Sequence, residues 1–184
     1  PKAALYGTPK ERTEDHSKSG SPRYEKESKS MSKGIRESLD LLVNRLEALT
    51  PKTDAHHGYI AMRDGSGLTQ LLEQNYHNIR YFDLSPLSMP QDDGMLGIST
   101  RKRITLALRV LYALPSDLGY MERMAIEDAS QLIESLKQPD YNSNSTGIIS
   151  LVVSPSALNE ITNELGEVRA HLLTIDFDLL YLEE

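Results

Sequence analysis

The chain has 184 residues, a net charge of −7, 39% hydrophobic residues and no cysteine. That length supports one core with room for an appendage, and the absence of thiols excludes disulfides, thiolate catalysis and cysteine-ligated zinc, which fits folding in a reducing compartment. No apolar run approaches the roughly 18 residues of a membrane-spanning helix, and the polar start Pro1-Lys2-Ala3-Ala4-Leu5 offers no secretory core, so neither export nor membrane insertion is expected.

Residues 1–30 hold seven basic and five acidic side chains, a local charge of +2 that leaves −9 for the remainder. From residue 7 onward this stretch has almost no aliphatic side chains and many Ser, Lys and Glu, which cannot offset the entropy of ordering. A flexible N-terminal arm is therefore expected over 1–30, followed by a single domain over 31–184. The first helix follows from Ser32: Ile35, Leu39, Leu42, Leu46 and Leu49 recur at helical spacing and form one apolar seam, which Thr50-Pro51 closes. Two heptads are too few for a free-standing coiled coil, so the seam should pack on a sheet.

Residues 57–63 read as a short extended piece closed by the turn signal Asp64-Gly65-Ser66-Gly67. The stretch 68–76 is ambiguous, with Leu68, Leu71 and Leu72 favouring a helical turn or two. Residues 79–87 read as a strand whose end is set by Pro86. A turn-rich loop over 89–97 then carries Asp92 and Asp93 and leads to the basic cluster Arg101, Lys102 and Arg103. Antiparallel pairing of the strands on either side would make this a large projecting hairpin. Long loops of this kind usually touch something, so these five charged residues are candidates for a subunit or partner interface.

Residues 103–112 alternate apolar and polar side chains, the period of a half-buried strand. Pro115-Ser116-Asp117 ends it and caps a helix with Leu118, Met121, Ala125, Ala129, Leu132 and Leu136 on one face. Ile126 and Ile133 widen that stripe, either as a broad core face or as a contact to another subunit. After Pro139 and a polar loop, residues 147–153 form a β-branched strand. Ser154-Pro155-Ser156 is then expected to open a short helix bearing Leu158, Ile161 and Leu165, with Gly166 as its left-handed terminator. Finally, residues 170–182 alternate again: Leu173, Ile175, Phe177, Leu179 and Tyr181 share one face, while Thr174, Asp176 and Asp178 share the other until Leu180 and Leu182 break the pattern. The expected fold class is α+β, a mostly antiparallel sheet of about four strands with helices on one face.

Signatures of catalysis are poor. Gly65-Ser66-Gly67 lacks the spacing and the Lys of a phosphate-binding loop, and no serine sits in a nucleophile elbow. His56 and His57 beside Asp54 are adjacent residues that point apart in an extended segment, a weak metal set. Asp176 and Asp178 could act as paired carboxylates, but no companion motif accompanies them and a solvated acidic face is the simpler reading. Three basic residues on a domain of charge −9 do not make a duplex-binding surface, because affinity for DNA needs many neutralised phosphates. No catalytic, cofactor or metal site is expected. A structural or binding subunit is.

The order of elements, with residues 103–110, the helix segment 121–129, the strand 146–150 and the terminal 173–181, resembles the tail terminators of long-tailed bacteriophages over residues 31–184. The resemblance implies a small subunit that forms a hexameric ring on the last ring of tail-tube protein, stops tube growth and joins tail to head. The implied partners are further copies of the chain, the tail-tube protein and a head-tail connector or neck protein, in a virion assembled in the host cytoplasm. DNA would meet the ring only as non-specific passage: six domains of −9 give roughly −54, a field that lets DNA slide rather than stick. Asp176 and Asp178 are then the channel-facing candidates, and either they or the loop residues Asp92 and Asp93 are placed near the lumen or at ring edges. The alternatives are a neck or head-completion subunit of the same particle and, from another class, a non-viral α+β domain that binds a small ligand.

Overall fold

The structure is a computed structural model, and it describes residues 34–63, 68, 80–94, 100–112, 118–138, 140–141 and 146–183. The expected arm, the turn signal 64–67, all of the ambiguous stretch 68–76 except Leu68, residues 95–97 of the turn-rich loop and the capping residues 115–117 lie outside the described residues.

In chain order the elements are α1 (Ile35–Glu47), β1 (Ile60–Ala61), β2 (Tyr81–Pro86), β3 (Gln91–Asp92), β4 (Arg101–Tyr112), α2 (Leu118–Leu136), β5 (Ile148–Thr162) and β6 (Val168–Leu182). The strands form one sheet in the order β1-β2-β4-β6-β5, with β3 pairing β4 beyond the end of β2. Every pairing is antiparallel except β1 with β2. The expected fold class holds: α+β, with four longer strands and the two-residue β1 and β3 added.

Alternation in β4 and β6 decides where the core sits. Ile104, Leu106, Leu108, Val110 and Tyr112 lie beside Leu173, Ile175, Phe177, Leu179 and Tyr181 on one face, in the same buried cluster as Leu42 and Leu46 of α1 and Met121, Ala125, Leu132 and Leu136 of α2. Burying a leucine or phenylalanine side chain in this way contributes about 1.5–3 kcal/mol each. The centre of the α1 stripe runs along Ser38, Leu42 and Leu46, with Ile35, Leu39 and Leu49 as half-buried flanks. Glu37 in the first turn and Arg45 in the last oppose the helix dipole favourably.

One expected element is absent. Residues 154–165 form no helix; β5 continues to Thr162 and turns into β6. The sequence carried a helix-like spacing of Leu158, Ile161 and Leu165, yet Leu165 lies exposed in the turn and Leu158 and Ile161 are half-buried in a strand. The Ser-Pro pair falls where the β5–β6 register shifts between Val153 and Ser156. Proline is tolerated there because β5 is an edge strand and a bulge leaves its missing N–H uncalled for. Gly166 is indeed left-handed, at φ +78°, but as the last residue of a hairpin turn. Its N–H donates to the Asn163 carbonyl at 3.0 Å, and the Asn163 side-chain oxygen accepts from the N–H groups of Leu165 and Glu167. An Asn that organises its own turn outweighs apolar spacing here.

Candidate interaction surfaces

The sheet has a second face, away from α1 and α2. By register it carries Asp83 and Ser85 of β2, Arg103, Thr105, Ala107 and Arg109 of β4, and Thr174, Asp176, Asp178, Leu180 and Leu182 of β6. One end is closed by a small second cluster of Leu68, Leu111 and Ala170. The rest mixes Ala107, Leu180 and Leu182 with polar side chains, of which Asp83, Ser85, Thr105, Arg109, Thr174, Asp176 and Asp178 are half-buried and Arg103 is exposed. Arg109 donates through Nε to Asp83 Oδ1 at 2.9 Å and through Nη2 to Oδ2 at 2.5 Å, a two-pronged pair across neighbouring strands. This hydrogen bonding raises the Arg109 pKa above its ordinary value. Thr105 donates its hydroxyl to Asp178 Oδ1 at 2.7 Å. Asp176 keeps one carboxylate oxygen buried without a hydrogen bond among the described residues. Asp176 and Asp178 thus share one face, as the alternation required.

At the far end of β4 the loop charges pair within the chain. Lys102 binds Asp92, and Arg103 Nη2 lies 3.1 Å from Asp93 Oδ1, across the short β3–β4 ladder. The hydrogen bond to Asp92 raises the Lys102 pKa. The basic cluster and the acidic loop residues are therefore brought together, each largely neutralising the other. Ile126 stands 58% exposed on the outward side of α2, while Ile133 is half-buried against the core. Since α2 covers the inner sheet face, Ile126 and the Asp176–Asp178 pair lie on opposite layers and cannot belong to one contact patch. The edge strand β5 adds a third exposed feature, with Val152 62% exposed opposite Asp178.

The sequence reading missed a buried polar network. Arg80, fully buried, donates Nε to Asp128 Oδ2 at 2.5 Å, Nη1 to the carbonyls of Asp54 and His57 at 3.2 and 2.8 Å, and Nη2 to the Thr53 carbonyl at 2.6 Å. Asp128 also accepts the Tyr112 hydroxyl at 3.0 Å, and the Tyr59 ring lies 5.7 Å from the guanidinium. Burial is the first cause that raises the pKa values of both tyrosines, with the Asp128 charge next. The network ties the segment before β1 to β2 and α2. One signal was readable: Asp128 falls on the apolar stripe of α2 between Ala125 and Leu132. The weak metal set resolves into a local contact, His57 Nδ1 with Asp54 Oδ2 at 2.9 Å. Among the described residues no group of three potential ligands gathers, and no helix is long and apolar enough to cross a membrane.

These surfaces define a sheet-presenting α+β domain. No protein-family model matches the chain, and no curated protein matches it. Among solved structures it is similar to the bacteriophage SPP1 gp17 protein, at 16% identity and a TM-score of 0.40, over 77% of this chain and 88% of that one.

Proposed function

We propose that the chain is a structural subunit of a long-tailed bacteriophage particle, a tail terminator that forms a six-membered ring, ends the tail tube and joins it to the head. The reading rests on the sequence resemblance over residues 31–184, from which the helix at 154–165 must now be subtracted. The observation that carries it is the polar, half-buried outer face of β4 and β6 next to the exposed edge strand β5. Residues such as Asp176, Asp178 and Leu180 are too covered for a freely solvated face, yet no helix lies over them among the described residues. Such a sheet can face a channel or a neighbouring subunit, and the −9 charge of residues 31–184 suits a wall past which DNA slides. The ring would be closed by one heterologous contact repeated around the axis, with the loop bearing Asp92 and Asp93 and the base at residues 101–103 on that contact. The test is to remove the chain from the particle that encodes it and image the products by electron microscopy. Tails of irregular length, separate from filled heads, are the expected result. Tails of normal length joined to heads would overturn the proposal.

A further inference from the structure

A cavity of about 450 Å³ opens between the C-terminal ends of α1 and α2. Its volume lies in the range of small-ligand sites. Leu41, Ala48 and Leu49 give it an apolar wall, and Arg45, Ser135 and Tyr141 supply the polar one. Ser135 is only 2% exposed, and its hydroxyl oxygen is buried with no hydrogen bond among the described residues. A buried hydroxyl left unpaired is costly, so a ligand that pairs it gains the difference. Arg45 is held in place from three sides: it binds the Gln138 side-chain oxygen, donates Nη2 to the Asp140 carboxylate at 2.9 and 3.1 Å, and stands 5.0 Å from the centre of the Tyr141 ring. The two ends of its ion pair differ sharply. The Arg45 side chain is 17% exposed, whereas Asp140 is 66% exposed. An exposed carboxylate contributes little to such a pair, so Asp140 can be displaced by a better-placed one.

We infer that this cavity is a binding site for a carboxylate carried on a short apolar stem. The carboxylate takes Arg45 Nη2 in place of Asp140 and accepts the Ser135 hydroxyl, while the stem lies against Leu41, Ala48 and Leu49. Two sources share that chemistry: a free aliphatic acid and the C-terminal carboxylate of a partner chain ending in an apolar residue. The site lies apart from the outer sheet face and does not depend on the ring reading.

The probes are hexanoate, hexanol, and the tripeptide acetyl-Ala-Ala-Leu as its free acid and as its amide, each titrated into the full chain while backbone amide NMR signals are followed. Saturable shifts centred on residues 45–49 and 135–141 are expected, with at least one acid binding about tenfold or more tighter than its uncharged counterpart, since a charge-assisted bond contributes on the order of one decade or more. A tighter peptide acid assigns the site to a chain terminus; tighter hexanoate assigns it to a free acid. Ser135→Ala should weaken the acid several-fold without unfolding the chain, and Asp140→Asn should tighten it several-fold by removing the competitor. The second variant separates ligand binding from a merely structural role, because a pair that only braced the helix ends would show no gain. Equal affinity for acids and their uncharged counterparts, no saturation up to about 10 mM, or acid binding that Asp140→Asn leaves unchanged or weakens overturns the inference.

Discussion

Replacing Asp128 by Ala should be among the most damaging single changes to this domain. It leaves the fully buried Arg80 guanidinium without its counter-charge and deprives the Tyr112 hydroxyl of its acceptor. Breaking a buried pair from one side costs about 3–5 kcal/mol, and an orphaned buried hydroxyl about 1–3 kcal/mol. The two costs overlap, since both arise from the same missing carboxylate, and the carbonyls of Thr53, Asp54 and His57 still accept from Arg80. A net loss of about 4 kcal/mol is expected, a large share of the roughly 5–15 kcal/mol that holds a domain together. Urea unfolding followed by circular dichroism measures it, with an unchanged slope as the sign that the folded state is otherwise intact. The double change Arg80→Met with Asp128→Leu should recover only part of the loss, because it removes the buried charges together but leaves the Tyr112 hydroxyl and the carbonyls of Thr53, Asp54 and His57 without their partners. A loss below about 1 kcal/mol for Asp128→Ala would refute the reasoning, since it would mean that the pair is solvated or exchanged for other partners.

Phe177, fully buried between the sheet and its helices, should cost about 3–5 kcal/mol on truncation to Ala, while Asp178→Ala gives up the Thr105 bond and should cost about 1 kcal/mol; equal costs in the same urea assay would reverse the facing of β6. Alkaline pH should unfold the protein cooperatively. The folded-state pKa values of Tyr59 and Tyr112 are raised above the ordinary 10.0 by burial, so below pH 10 both states keep their phenol protons and nothing is lost. Above it only the unfolded chain ionises and stability falls as pH rises. Tyrosinate absorbance that accounts for all nine tyrosines just above pH 10 while circular dichroism stays constant would contradict this. Reversing Arg101 and Arg103 to Glu breaks the Arg103–Asp93 pair, an exposed contact with little effect on stability, so the melting temperature should hold while ring assembly, read by native mass spectrometry, fails. Intact rings from that variant would move the contact to the α2 surface around Ile126.

Much of the architecture was readable because two strands alternate cleanly. In β6 five apolar side chains from Leu173 to Tyr181 are all buried, and the polar residues between them face the other way, so period alone fixed the facing. The stripe on α2 was equally plain. Reading failed at β5, an edge strand whose second half is half-exposed and therefore lacks a strict period. There the Leu158–Ile161–Leu165 spacing imitated a helix, and the deciding features were a bulge at Pro155 and an Asn163-centred turn, both set by pairing with β6. Arg80 was invisible for a related reason. Nothing local marks a cation as buried when its partners lie near residue 54 and at residue 128, although Asp128 on an apolar stripe was a usable hint. The expected surface residues were located but not unified: Asp92, Asp93, Lys102 and Arg103 pair with each other, and Ile126 lies on the layer opposite Asp176 and Asp178.

The mass of the purified chain in solution tests the central proposal most directly. Sedimentation equilibrium over a wide concentration range should show a closed species of about six times the 20.6 kDa chain, dispersing to monomer in the Arg101→Glu, Arg103→Glu variant. A wild-type chain that remains a 20.6 kDa monomer at every concentration would contradict the ring.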